Sequence, residues 1–543
     1  MTSRERAAGN TYGPDKEPKY AILSYTWGRF EIPEGPRLAV DGIDWKIPAV
    51  NEAHFTVEDL QQVLRQIRLD HEYVWIDVAC IDQRREKVKM KEIGRQASIF
   101  KLAGQAYVWL NRFEPAVIQQ HTQELMRCTH AFASGSMSAL QAAREIDESL
   151  CQILQDFWFS SLWTLQESVL QRHALILNKR GAFLTTQGPW TGESTKGKNS
   201  NTQLMDISGA IIVAKVAIDK AMRMEGSTSP HIARLQALRA VIDESGIDFT
   251  FCPNPNIAYS AARFRKTTRP EDRIYGIMQV YGYKLGNSAT SVRRTRNFDL
   301  EELELQFLKT LTTQSTIVSQ SFRHLRVPPP GQSWCITNHI DVPQHLHRII
   351  VHEQFTTLEC RISVCKRNEA YFNGLGCALG DLLGLWKTRA QEIMAFFDAF
   401  LSMNAPSESK QCVILDSNEE FETTDMSSEW PPDTAVFDGG TDLIIEHRMP
   451  ELIQASDRQQ YFGESIISRY RHMRPSVLYL GSIKHIERME VALIVIHVGS
   501  SRRFLGAKMQ DTWRRIGILF WGNYRMSVDN FARMLAPMKG RFG

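Results

Sequence analysis

At 543 residues, with 43% hydrophobic and 23% charged residues, the chain is long enough for two or three domains and too apolar for intrinsic disorder. A net charge of +3, with only short basic runs such as "SVRRTRN" and "ISRYRHMR", argues against nucleic acid as a partner. The nine cysteines form no paired framework and the N-terminus "MTSRERAAGNTYG" lacks an apolar signal core, so a reducing, cytoplasmic setting is expected.

From the N-terminus, a tail over 1–19 precedes the candidate strand "YAILSY", which begins at Tyr20 and runs into a polar, aromatic loop, Ser24 to Gly28. "TVEDLQQVLRQIRL" reads as a helix with Leu60, Val63, Leu64 and Ile67 on one face, and "YVWIDVA" as a second strand. A long helix ending near Gly104 follows, carrying Met90, Ile93, Ala97 and Phe100 on one face, then "AYVWLN" as a third strand. A helix through "LCQILQDFWFSSLWTLQESVL" leads to "HALILN", the fourth strand. Short apolar strands alternating with amphipathic helices predict an α/β domain with a parallel sheet covered on both faces.

The Gly-, Ser- and Thr-rich stretch over 185–204 reads as a linker or loop. Beyond it "SPHIARLQALRAVIDESG" predicts a helix with Ile232, Leu235, Leu238 and Ile242 inward and Gly246 as its stop. Residues 287–543 read as mixed strands and helices, an α+β region of unassigned fold. Within them the apolar run "VALIVIHVG" from Val491 is about half of the ~20 residues that a membrane span requires, so it reads as a buried strand and no membrane span is expected.

Ligands of open parallel sheets bind outside the carboxyl ends of the strands. That rule singles out Ser24 to Gly28 and Asp77 to Gln83. Asp77 interrupts an apolar run, a costly place for a charge unless it meets a polar opening or caps a turn. Glu167 follows Trp163 by four and shares a helix face with it, although Thr164 to Glu167 also fits a capping box, in which Glu167 would only satisfy a backbone amide. Cys80 reads as a small buried hydrophobe rather than a nucleophile. "GESTKGKN", Gly192 to Asn199, approaches a phosphate-binding loop but lacks the final hydroxyl and the preceding strand. Neither Cys360 with Cys365 nor His345, His347 and His352 have a convincing second half for a metal site, so no metal and no bound cofactor are expected.

Taken together, "YAILSYTWG", "VWIDVACIDQ", "EIGRQASIFKLAGQAYVWLN" and "FWFSSLWTLQE" resemble, in order and spacing, the HET (heterokaryon incompatibility) domain of filamentous fungi over 20–184. "RKTTRPEDRIYGIMQVYG" from Arg265 resembles the segment that often follows it, which implies a helical extension over 205–286. The family usually has Asn at Asp82, Gln-Val at Glu92 and Ile93, Met at Gln96, Tyr at Phe100 and Gly at Asn111. The resemblance implies a role in nonself recognition and regulated cell death. HET domains are regarded as remote relatives of TIR domains, which implies a flavodoxin-like sheet and, for some members, hydrolysis of NAD at its nicotinamide glycosidic bond. By that likeness Glu167 is the expected catalytic residue, and NAD the expected substrate. Trp27 or Trp163 would stack on a base, with core packing as the alternative for either. Ser24 and the Gly28 turn would contact ribose or diphosphate, and Asp77 and Asp82 would shape the opening. Self-association is the expected partnership; a non-enzymatic module that signals by assembly, or a pathway regulator, is the alternative.

Overall fold

The computed structural model describes residues 11–12, 15–16, 18–39, 45–82, 84–187, 199–225, 230–247, 250, 254–289, 296–324, 328, 331–337, 340–342, 360–365, 369–382, 411–415, 442–445, 475–484, 488–501, 510–522 and 532–542. The chain divides into two compact units, Met1–Leu303 and Glu304–Gly543.

The first unit is built on four parallel strands, β1 (Tyr20–Ser24), β2 (Tyr73–Trp75), β3 (Gln105–Trp109) and β4 (Leu175–Leu177), in the order β2-β1-β3-β4. Tyr20 pairs with Tyr73, Ala21 with Gln105 and Tyr107 with Leu175. Both faces are covered, as near-continuous apolar strands require. On one face Ala21, Leu23, Tyr107 and Trp109 pack with Val63, Leu64 and Ile67 of α1 (Val57–Ile67). On the other, Ile22, Ala106 and Val108 meet a helical layer. α1 starts where Thr56 and Asp59 close a reciprocal cap, each side chain bonded to the other's backbone N–H.

Three elements depart from expectation. The second strand stops at Trp75, because Asp77 opens the helical turn α2 (Asp77–Cys80) and its carboxylate accepts the N–H of Val78 at 2.7 Å. The long helix before Gly104 is two, α3 (Glu86–Ile93) and α4 (Gln96–Leu102), broken at Gly94 and Arg95. The helix expected through "LCQILQDFWFSSLWTLQESVL" is also interrupted. After α5 (Pro115–Ala133), which the periodicity did not reveal, α6 (Ala139–Leu154) stops before buried Asp156, which accepts the N–H groups of Trp158 (2.9 Å) and Arg112 (3.0 Å). A 3-10 helix, Phe157–Ser160, and then α7 (Leu162–Leu170) follow.

The stretch after β4 is not simply loop: Thr185–Gln187 pairs antiparallel with Asn199–Asn201. Apart from Asn199, the loop-like "GESTKGKN" lies outside the described residues. Helices α8 (Leu204–Glu225), α9 (Pro230–Ser245), α10 (Pro255–Ala262) and α11 (Asp272–Met278) come next. α9 buries Leu235, Leu238 and Ile242 and is stopped by Gly246, whose φ of 59° suits the left-handed residue after a helix. One apolar cluster joins Ile22, Ile146, Leu150, Ile207, Ile211 and Ile242, so α8 and α9 complete the core under the sheet. Each such fully buried side chain contributes about 1.5–3 kcal/mol.

The second unit holds α13 (Thr316–Gln320), which follows α12 (Leu300–Gln314), and a large sheet. Its strands are β5 (Arg361–Val364), β6 (Ala370–Ala378), β7 (Gln411–Leu415), β8 (Asp442–Ile445), β9 (Ser476–Lys484), β10 (Arg488–Ser501), β11 (Gln510–Gly522) and β12 (Ala536–Phe542). β6, β9, β10 and β11 are neighbours in that order, and β12 pairs with both β6 and β11, closing a ring of five strands like a small barrel. The apolar run from Val491 is buried in β10 as far as Ile496, while Val498 is exposed. Arg515 of β11 is buried against the carbonyls of Gln320 and Phe322 and the Phe322 ring. Cys360 is buried and donates its N–H to Leu480; the three candidate histidines lie outside the described residues. Among the described residues no helix is long and apolar enough to cross a membrane.

Candidate functional site

Strand period fixes the first member. Ser24 ends β1 on the same face as Ile22, which looks toward the layer containing α4 and α7. There the indole Nε1 of Trp158 donates to Ser24 Oγ at 2.7 Å, and Ser24 donates in turn to Glu167 Oε2. An indole nitrogen can only donate, so Ser24 accepts from Trp158 and keeps its own hydroxyl proton for Glu167.

Glu167 sits in the second turn of α7. The helix begins at Leu162 after Ser161, and Thr164 spends its hydroxyl on the carbonyls of Trp158 and Ser161, so the expected capping box does not form. Its other oxygen faces Gln96 Nε2 at 3.5 Å, while Gln96 Oε1 accepts from Gln166 at 3.2 Å. Burial pushes the Glu167 carboxyl up to about 8; the Ser24 hydrogen bond opposes that and the Asp77 carboxylate adds to it. At neutral pH it is therefore mostly protonated. A protonated Glu167 donating to Gln96 would turn both amides end for end and give a donor to Gln166 Oε1, a buried acceptor without a partner.

Asp77 is held from the neighbouring strand end. It accepts Trp27 Nε1 at 2.7 Å besides the Val78 amide, and burial still raises its pKa despite those bonds. Tyr25 lies close enough for the two groups to perturb each other, its phenol pushed well above the usual range by burial and then by Asp77. Trp27 is half-buried against the apolar cluster on the α1 face of the sheet, its nitrogen committed to Asp77. Gly28 is exposed, and a side chain there would meet nothing within 4 Å. The loop is pinned by His54, whose Nε2 bonds the Thr26 carbonyl at 2.7 Å and whose ring stacks on Phe30 at 3.7 Å. Burial lowers His54 to about 4, so it is neutral and donates from Nε2.

Two expected members stand elsewhere. Asp82 accepts the N–H groups of Arg84 (2.9 Å) and Arg85 (3.2 Å) and pairs with the Arg85 guanidinium, which ties down the turn before α3. Trp163 acts on Asp272 of α11, helping to keep that carboxylate charged, and has no bond to the Glu167 chain among the described contacts. Cys80, expected to be buried, is exposed at the end of α2, beyond the apolar positions Val78 and Ala79.

Sequence reasoning missed Trp158 and two arginines. Arg29 donates to Phe157 O (2.8 Å) and Ser160 Oγ (3.0 Å). Arg265, 4% exposed, sends Nη1 to Trp158 O (3.1 Å), Ser161 O (3.1 Å) and Thr164 Oγ1 (3.4 Å). Next to it Lys266 brackets the same turn through its backbone: its N–H reaches Ser160 O at 2.7 Å and its carbonyl accepts from Leu162 at 3.0 Å. The quoted segment from Arg265 had signalled its presence, though not its place.

Residues 20–167 match the family model described as heterokaryon incompatibility protein (HET). The chain carries a HET domain. Neither a curated protein nor a solved structure matches the chain. In this HET domain the matched segment ends on Glu167 itself, and the arginine and lysine that hold the turn before it come from about a hundred residues further on. What the arrangement offers chemically is a protonatable carboxyl at the carboxyl end of a central strand, tuned by a hydroxyl, an indole and a second carboxylate.

Proposed function

We propose that the protein is a HET effector of nonself recognition and regulated cell death, and that it cleaves NAD at the nicotinamide glycosidic bond with Glu167 as the catalytic carboxylate. The observation that carries this is the buried Glu167 carboxyl bonded to Ser24 at the end of β1, a position where ligands of parallel sheets bind. The strand order β2-β1-β3-β4 is that of the first four strands of a flavodoxin-like sheet, which supports kinship with TIR domains. As nicotinamide leaves with the electron pair of the C–N bond, positive charge develops on the ribose; ionised Glu167 stabilises it until water adds and loses a proton. The cationic pyridinium of bound NAD favours the ionised carboxylate over the neutral form of the empty site. Trp27 would stack on a base, Ser24 and the open Gly28 turn would meet ribose or diphosphate, and Asp77 would hold the charge balance.

Nicotinamide release by the full chain, compared with Glu167→Gln, tests the reading. Release by the parent and loss of at least a hundredfold in the variant is expected; equal release, or none by the parent in cells that it kills, refutes it. A second reading, a cytoplasmic module that signals by self-assembly, is favoured by Glu167 being 9% exposed and engaged with protein partners. Cell death persisting in Glu167→Gln would select it.

A further inference from the structure

Buried charges in proteins are ordinarily paired. Arg265 is not. Its Nη1 is shared among neutral oxygens, while its Nε and Nη2 are buried with no hydrogen-bond partner. Among the described residues the one charged group that acts on it is Arg29, of the same sign, and burial with that repulsion lowers its pKa to about 9, so it is still cationic at neutral pH. Arg29 also leaves Nε buried and without a partner. Its counter-charge is Asp156, which is also drawn on by Arg112 and which burial raises to about 6. The turn 157–164 therefore carries two guanidiniums on it, three unpartnered N–H positions and too little negative charge. Removing a partner from a buried ion pair is strongly destabilising, so a lasting vacancy of this kind points to a partner that comes and goes.

We propose that Arg29 and Arg265 form a subsite for a phosphoryl group, entered from the Gly28 side, where the chain is exposed and a Cβ on the glycine would meet nothing beyond its own turn within 4 Å. A planar guanidinium with two adjacent free N–H groups, as Nε and Nη2 of Arg265 are, fits two oxygens of one phosphate. Arg29 supplies a third donor, its unpartnered Nε, from the turn after β1. The turn that carries both arginines also carries Trp158, which bonds Ser24, so a phosphate bound here is connected through two hydrogen bonds to Glu167. The subsite rests on the unpaired cations and not on the NAD reading; if that reading holds, it marks the substrate as a phosphate-bearing nucleotide.

The test uses inorganic pyrophosphate on the full chain, with sodium chloride at matched ionic strength as the control, read by calorimetric titration and by the thermal midpoint. Saturable binding by the parent is expected, weakened tenfold or more in Arg29→Gln and in Arg265→Lys, which retains a charge but not the adjacent N–H pair. Arg29→Gln guards against a folding artefact, since that side chain is half-buried and its thermal midpoint in chloride checks integrity. No saturable binding by the parent, or binding by both variants as tight as the parent's, overturns the proposal. Binding that persists in Glu167→Gln while no preparation releases nicotinamide would keep the subsite and end the glycohydrolase reading; nicotinamide release by a parent that does not bind pyrophosphate would do the reverse.

Discussion

Replacing Glu167 by glutamine keeps the length of the side chain and its acceptor toward Ser24 while removing the group that titrates. The fold holds this carboxyl at about 8 against 4.5 for an unperturbed glutamate. The folded state therefore binds the proton more tightly than the unfolded one, so stability attributable to the group is intact at acid pH and is lost as pH rises from the unfolded value through the folded one. With 1.36 kcal/mol per unit, the loss comes to about 1 kcal/mol near pH 5, about 3 near pH 7 and about 5 near pH 9. Glutamine is neutral in both states and escapes it, so Glu167→Gln is expected to match the parent at acid pH and exceed it by about 4–5 kcal/mol in alkaline buffer. Urea denaturation of both proteins across that range, followed by tryptophan fluorescence, gives the difference, because the other titrating groups cancel. Parallel pH profiles, or a variant less stable than the parent in alkali, would refute a buried, proton-holding Glu167.

Ser24→Ala removes the link between Trp158 and Glu167 and leaves the buried indole N–H without an acceptor; a loss of about 1–3 kcal/mol is expected in the same assay, and a neutral substitution would mean that the chain of bonds does not exist. Gly286→Ala places a methyl group 2.7 Å from Leu303 and against the Tyr275 phenol, at a φ of 53°; a drop in thermal midpoint equivalent to about 1–3 kcal/mol is expected, against no change if the turn can shift.

The sheet was legible because its signal is local: apolar runs of five or six residues, separated by helices, with the polar change at Ser24 marking a strand end. α1 was legible for the same reason. The breaks at Gly94 and Asp156 were hidden, since Met90, Ile93 and Phe100 all remain inward across the first and Trp158 and Phe159 across the second. Periodicity records which side chains are buried, and a two-residue break between helical segments barely disturbs it. Glu167 could be singled out, but its environment could not: the residues that tune it come from β1, α4 and the 3-10 turn, brought together only by packing. Arg265 is further still in sequence, and nothing about a lone arginine distinguishes a buried cation from a solvated one. The five-stranded ring escaped for a related reason, as Tyr371 of β6 pairs with Arg541 of β12 and no local pattern encodes that registration.

The backbone staple at Lys266 sets a boundary for how this molecule can breathe. The amide of Leu162 is protected by the Lys266 carbonyl and that of Lys266 by the Ser160 carbonyl, while the amide of Ala97, beside Gln96, is held by the side chain of Gln279 at 3.4 Å. Protons at the start of α7, at the start of α4 and in the segment around 266 should therefore exchange with solvent together, as one cooperative opening. The stretch recognisable as HET by its sequence is then only part of the unit that opens and closes, and a chain cut at Glu167 would expose the floor of its own site.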